Sequence, residues 1–309
     1  MAAGPTVTIL MGVFDGAAHL RAQLDSLAAQ DHADWRLVAS DDGSRDGSLA
    51  ILEAFAAGRP AGQVACTSGP GRGFAANYLS LLAGLSDDPG WVAFSDQDDV
   101  WLPDRLTRGL HALPAGDAPA LYCSRTWVTA ADLSDRRLSP LFRRPPSFRN
   151  ALVQNVAAGN TILLNPAAAR LLVATARRVP GIVAHDWWAY LAVTGAGGQV
   201  VMGAAPTLLY RQHGANAIGS NSGWGARLRR LAQVWRGGLG DWNDTNAAAL
   251  TACADLLTPA ARGVLADWQR LRASRPAPLR LWRLWRLRLY RQTPASAAVL
   301  WLAAAIGRI

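Results

Sequence analysis

Short apolar runs alternate with segments of helical spacing through the first 130 residues, and no other feature limits the fold so tightly. VTILMGVF (Val7–Phe14), RLVASDD (Arg36–Asp42), QVACTS (Gln63–Ser68), WVAFSD (Trp91–Asp96) and Leu121–Val128 read as strands. Between them, Ala17–Gln30 places Leu20, Leu24 and Leu27 at i, i+4 and i+7, one face of a helix. Gly47–Ala57, Ala75–Leu85 and Asp104–Leu113 continue the alternation. Buried strands separated by helices predict an α/β fold with a mainly parallel sheet covered on both faces. Ligands of such sheets gather beyond the carboxyl ends of the strands.

Further along, the Arg- and Pro-rich stretch Asp132–Arg149 reads as a mobile connection. NTILLN (Asn160–Asn165) resumes a strand, and Pro166 suits the first turn of the helix that follows. HDWWAYLAVTG reads as a helix entered from a loop, and QVVMGAAPTLLYRQHG as one or two strands closing the sheet. No run of about twenty uncharged apolar residues occurs, so no spanning helix is expected. The opening MAAGPTVTIL lacks the basic head and cleavage site of a signal peptide, which predicts a cytoplasmic location. Cys66, Cys123 and Cys253 are widely spaced and read as buried free thiols, with no zinc site implied.

Charge divides the chain. Residues 1–223 hold 17 Arg against 18 Asp and Glu, whereas residues 224–309 hold 14 Arg against 4 Asp. The first region reads as a neutral globular body and the second as a basic helical appendage.

Acidic clusters fall where the ligand edge should be. FSDQDDVWLPDRL carries Asp96, Asp98 and Asp99 directly after an apolar strand. They read either as a solvated turn, with Asp99 capping the next helix, or as ligands of a hard cation such as Mg²⁺ or Mn²⁺. Such an ion keeps few protein ligands and binds a substrate diphosphate besides, so the second reading implies a nucleotide substrate. SDDGSRDGS places Asp41 and Asp42 on the same edge, where Asp42 could accept from the N3–H of a pyrimidine or simply form a turn.

MGVFDGAAHLRAQLDSLAAQ, SDDGSRDGS and SDQDDVWLPDRL, in this order, resemble family 2 glycosyltransferases of the nucleotide-diphospho-sugar (GT-A) fold. DQDDVW with the later HDWW and YRQHG is similar to bacterial rhamnosyltransferases of that family. The likeness spans about Val7 to Ile218. It implies that Asp42 binds the base with Phe14 stacking nearby, that Asp96 contacts the ribose, and that Asp98 holds Mn²⁺ or Mg²⁺ on the diphosphate. Asp41 is then structural. One departure is Asp15, where many relatives carry Asn.

The resemblance also bears on weaker signals. GPGRGFAANYLSLL is a glycine-rich helix entry without Rossmann or P-loop spacing, and it reads as a flexible loop. By likeness it lies near the nucleotide, making Arg72 and Asn77 secondary candidates. Asp186 reads from its position as a helix cap or as a general base desolvated by Trp187 and Trp188, which would also offer a sugar a stacking surface. The family carries its catalytic Asp at this position. His213, by likeness, joins Asp98 on the metal, and Arg211 either meets the diphosphate or is exposed; His185 receives no role. Together these imply an inverting transferase with dTDP-L-rhamnose as donor, or alternatively a UDP-hexose. A glycan or lipid-linked acceptor completes the reaction; a non-catalytic nucleotide-sugar-binding scaffold is the competing reading.

RLWRLWRLRLY (Arg280–Tyr290) places Trp282, Trp285 and Leu289 in one helical sector and Arg280, Arg283, Arg286 and Arg291 opposite. This pattern suits an anionic membrane surface, a helix docked on the body, or an oligomer contact. Nucleic acid is not expected, because the body has no basic face.

Overall fold

β1 (Val7–Val13) is the central strand because it is apolar on both faces: Val7, Ile9, Met11 and Val13 enter one hydrophobic cluster and Leu10 the other. The computed structural model describes residues 4–114, 116–213 and 238–309. β2 (Trp35–Asp41) and β4 (Trp91–Ser95) flank β1 in parallel, and β3 (Val64–Ser68) forms the edge beyond β2. Past β4 the sheet continues through β8 (Leu163–Leu164), β6 (Ala120–Thr129), β9 (Gln199–Arg211) and β5 (Val100–Trp101). With β7 (Arg137–Leu138) paired to β6, it has nine strands. The four parallel pairings match five to nine residues each, with the register of β6 on β9 shifting on either side of Arg125, whereas each antiparallel pairing has two. The sheet is thus mixed, with its length mainly parallel.

Helices cover both faces. α1 (Ala17–Ala28), α2 (Ser48–Ala57) and α4 (Arg105–Ala112) pack on one cluster through Leu20, Leu24, Leu52 and Leu106. α3 (Phe74–Ala83), α6 (Pro166–Ala176) and α7 (His185–Gly195) line the other through Tyr78, Leu172 and Trp188. Burying a leucine such as Leu24 completely contributes about 2 kcal/mol. The segment from Asn160 holds less strand than its composition suggests. Gly159–Thr161 forms a 3₁₀ turn, and Asn165 leaves the sheet to cap α6, accepting from the Ala168 N–H at 2.9 Å.

The stretch Asp132–Arg149, expected as a mobile connection, is tied down at several points. It contributes β7, and Arg125 Nε donates to Ser139 O at 2.8 Å. Its end leads into α5 (Phe148–Ala151), whose Asn150 donates to Tyr290 O at 2.9 Å. Gln292 exchanges hydrogen bonds with the backbone of Arg144 at 3.0 and 2.9 Å.

The boundary placed at 223/224 lies outside the described residues. Beyond it stand α8 (Gly238–Ala252), α9 (Pro259–Ala273), α10 (Ala277–Leu287) and α11 (Pro294–Ile306). Their Leu271, Leu284, Leu287 and Leu300 share one core with Phe148 and Tyr190 of the body. The helical wheel expected for Arg280–Tyr290 needs correction at both ends. α10 stops at Leu287 because Arg288 takes a left-handed φ of 51°, so Leu289 turns inward and is buried. Arg280 is buried too, donating to Ala304 O and Ala305 O at 2.6 Å and to Ser274 O at 3.0 Å. A cation on the last carbonyls of α11 satisfies groups that a helix end leaves open.

The cysteines are unpaired, but only Cys123 and Cys253 are buried; Cys66 is exposed on edge strand β3. Among the described residues no helix is long and apolar enough to cross a membrane.

Candidate active site

The carboxyl ends of β1, β2 and β4 meet at one edge, and each acidic cluster is positioned there by its own strand. β1 runs into a loop held from several sides. Gln97 brackets Phe14, accepting from its N–H at 2.8 Å and donating to its carbonyl at 2.9 Å. Asp15 takes a left-handed φ of 45°, which Asp and Asn tolerate better than most residues. Its carboxylate accepts from the Arg45 N–H at 2.8 Å, so Asp15 serves the loop itself. The Phe14 ring is left 56% exposed at the edge.

After β2, Asp41 and Asp42 part ways. Asp41 accepts from the Ser44 N–H at 3.2 Å and closes its own turn. Asp42 is buried, and its two oxygens accept from the N–H groups of Gly71 and Gly73 at 2.7 and 2.8 Å. The glycine loop therefore rests on Asp42, with Arg72 exposed on it. Asn77 is spent differently from expectation. It is buried, donating to Ser40 O at 2.9 Å and accepting from the Ser40 hydroxyl at 2.5 Å. This side chain locks α3 onto β2 and has no free end for a nucleotide.

β4 ends in the densest charge. Asp99 is fully buried, accepting from Asn160 Nδ2 at 2.6 Å and from the Arg211 N–H at 3.2 Å; it caps no helix. Asp98 Oδ2 lies 2.8 Å from His213 Nε2, and the His213 ring faces His19 with centroids 4.9 Å apart. Asp96 Oδ1 is 3.3 Å from the Tyr78 hydroxyl. Burial, then the charges of Asp98 and Asp186, push the Asp96 carboxyl up to about 7. Burial, followed by Asp96 and Asp98, also drives Asp99 well above the usual carboxylate range.

Two buried arginines stand among these acids. Arg211 is not exposed as one expectation had it: its Nε donates to Asp98 O at 3.0 Å, and Nη1 donates to Ala131 O. Arg105 is the residue that sequence reasoning missed. It lies 3.4 Å over the Trp101 ring and donates to Phe94 O at 3.0 Å and Asn160 O at 2.8 Å. Burial draws its guanidinium down to about 9, with Asp99 and Asp96 opposing that fall. Its partners are carbonyls, which no charge pattern along the chain reveals.

Asp186 lies in the first turn of α7. Its Oδ1 accepts from the Trp187 N–H at 2.6 Å. Burial pushes its carboxyl up to about 6, against hydrogen bonds from Asn155 and the Gly159 backbone. The adjacent His185 ring stacks on Tyr78, whose hydroxyl is 3.3 Å from Asp96 Oδ1, so Asp186 and Asp96 stand at one site. Trp187 and Trp188, expected as an acceptor platform, are core residues instead. Both are buried; their indole N–H groups donate to Ala151 O at 2.7 Å and Thr175 Oγ1 at 3.0 Å. Helical spacing directs them into the cluster between α5 and α6, not toward the sheet edge.

His185, given no role from the sequence, starts the helix that carries Asp186. Its ring stacks on Tyr78 with centroids 3.6 Å apart, and both ring nitrogens are buried without a hydrogen-bond partner. Burial lowers its pKa to about 3, so the imidazole is neutral. Leaving such nitrogens unpaired costs about 1–3 kcal/mol each.

Comparison with known proteins then fixes the family. The model of glycosyl transferase family 2 matches residues 8–168, more than half of the chain. The chain belongs to glycosyl transferase family 2. The matched span of this family 2 glycosyltransferase includes Phe14, Asp42, Arg72, Asn77, Asp96 and Asp98, whereas Asp186, Arg211 and His213 lie beyond it. It is 25% identical over 234 residues to dTDP-rhamnosyl transferase RfbG of Shigella flexneri, covering 72% of this chain and 78% of that one. It is 29% identical over 108 residues to the putative glycosyltransferase EpsE of Bacillus subtilis, covering 35% of this chain and 38% of that one. Among solved structures, S. aureus TarS 1-349 in complex with UDP-GlcNAc superposes with a TM-score of 0.56 at 14% identity, covering 97% and 90% of the two chains. At that identity the likeness shows the fold alone.

No cluster of three metal-capable side chains occurs among the described residues. Asp98 and His213 supply a carboxylate and an imidazole at hydrogen-bonding distance. A two-donor set fits a hard cation that takes its remaining ligands from water and phosphate oxygens.

Proposed function

We propose that this family 2 glycosyltransferase moves L-rhamnose from dTDP-L-rhamnose to a hydroxyl of a lipid-linked or cell-surface glycan, with inversion at the anomeric carbon. The donor is supported by the likeness to a dTDP-rhamnosyl transferase over 72% of the chain. The observation that carries the chemistry is Asp186, a half-buried carboxyl raised to about 6 and adjacent to His185, whose ring stacks on the Tyr78 that meets Asp96 at the tip of β4.

Asp42, fixed by Gly71 and Gly73, accepts from the base N3–H, and the exposed Phe14 ring stacks on the base. Asp96 accepts from the ribose, while exposed Arg72 offsets diphosphate charge. Asp98 and His213 would hold Mn²⁺ or Mg²⁺, which when bound stabilises negative charge on the departing diphosphate. Arg211, committed to Asp98 O and Ala131 O, holds the strand tip in place. Asp186 takes the proton of the acceptor hydroxyl as its oxygen bonds to the anomeric carbon. The bond from that carbon to the diphosphate breaks, and the nucleoside diphosphate leaves with the electron pair. No enzyme-bound intermediate forms. The enzyme works on the cytoplasmic side of a membrane, where lipid-linked acceptors are presented.

A second donor, a UDP-hexose, is favoured by the shared fold with TarS, which has been solved with UDP-GlcNAc. Turnover of dTDP-rhamnose and UDP-hexoses, with Mn²⁺ and Mg²⁺ added separately, distinguishes the two. Asp186→Asn should retain donor binding and lose about 10²–10⁴-fold in transfer. Transfer by that variant at the wild-type rate would refute the base; donor binding with no turnover under any condition would mark a scaffold.

A further inference from the structure

The described chain exposes twelve large hydrophobic side chains, and six of them lie on α10 and α11. They are Leu279, Trp282, Trp285, Trp301, Leu302 and Ile306, with Trp285 68% exposed and Trp282 49%. The two helices are neighbours and antiparallel, since Arg280 in the first turn of α10 grips Ala304 and Ala305 in the last turn of α11. α10 turns Leu284 and Leu287 to the core and shows water its Trp face. α11 has no charged residue from Pro294 to Ile306, so its outer stripe is wholly apolar. Scattered exposed hydrophobics are ordinary, but six on one helical hairpin form a patch that needs an occupant.

The charge around the patch selects that occupant. From Asp267 to Ile309 there are nine arginines and one acidic side chain, Asp267, which lies beside Trp282 and is paired with Arg270 at 2.7 Å. Arg275 and Arg308 are exposed at one end of the hairpin, and Arg288 at the other. Arg286 is exposed along α10, with its guanidinium 5.4 Å from the Trp282 ring centre. A second copy of the chain would bring the same cations face to face, because a two-fold contact pairs identical surfaces. An anionic lipid surface instead meets both properties: indole rings settle at the headgroup level, and arginines reach phosphate. We propose that the α10–α11 hairpin is a membrane-docking surface for anionic phospholipid, entering the interface without crossing it. This surface stands independently of the sugar-transfer reading.

Co-sedimentation of the full chain with phosphatidylcholine vesicles, with and without phosphatidylglycerol, tests it. Binding should require the anionic lipid and weaken as salt rises. Trp282→Ser/Trp285→Ser/Trp301→Ser should abolish it, with the helical circular dichroism unchanged because all three side chains face water. Arg275→Gln/Arg288→Gln should weaken it roughly thirty-fold, at about fivefold for each arginine near the surface. Wild-type protein that stays in the supernatant with anionic vesicles, or a triple Trp variant that pellets like wild type, overturns the proposal. A wild-type dimer in sedimentation equilibrium that the triple variant breaks would assign the patch to self-association and overturn it equally.

Discussion

At the residue scale, Asp186 carries opposed demands. Its carboxyl is raised from 3.8 to about 6, so the folded state holds the proton more tightly than the unfolded chain does. Stability is therefore lost as pH rises from about 4 to about 6, and the ionised form is strained at neutral pH. Asp96 faces the same carboxyl as a like charge, and neighbouring His185 stays neutral. As the proposed base, Asp186 must be ionised to act, so kcat/KM should climb with pH through about 6 and then level off. Asp186→Asn should remove that limb together with the activity, yet melt higher than wild type at pH 7, by up to about 3 kcal/mol. Melting curves of both proteins at two pH values check the second half. An inactive variant of unchanged stability would show that burial does not strain this group. Asp42, Asp98 and Asp186 were all legible as acids beside element ends. Arg105 and Gln97 were not, because their partners are backbone atoms 55 and 83 positions away.

At the element scale, the glycine loop between β3 and α3 is seated by contacts rather than by phosphate spacing. A Cβ on Gly69 would stand 2.6 Å from Asp42 Oδ1 and 2.7 Å from Asn77 Oδ1. Since the Asn77 amide is locked to Ser40, neither atom yields without breaking a buried hydrogen bond. Gly69→Ala should therefore lower stability by about 1–3 kcal/mol and raise KM for the donor, as differential scanning fluorimetry and initial rates would show. Periodicity located the first four strands and their helices within two residues. It failed on β5 and β7, which are two residues each and exist only through pairing with β9 and β6, and it drew β8 longer than it is. It also misplaced Trp187 and Trp188, since α7 is apolar nearly all round and a wheel cannot say which neighbour claims which face.

At the scale of the whole molecule, the tail and body form one core, and the site gathers side chains from the ends of β1, β2, β4, β9 and α7. A ligand that bridges those elements should stiffen all of them together. Mn²⁺ plus dTDP at a hundred times their dissociation constant should stabilise the fold by about 2.7 kcal/mol and lift Tm by roughly 5 °C. Either component alone should achieve less. Equal shifts with and without the metal would remove Asp98 and His213 from its binding. The mainly parallel sheet and its acidic edge could be foreseen from the chain, whereas the junction of tail and body could not, because Tyr290 and Asn150 lie 140 positions apart. Cys66 on the outer strand offers a practical handle. Burial and Glu53 hold its thiol above the usual range, but it is the single cysteine open to solvent. Mildly alkaline maleimide chemistry will attach one fluorophore there, two strands from the Phe14 loop, and its emission can report nucleotide arrival without any engineered substitution.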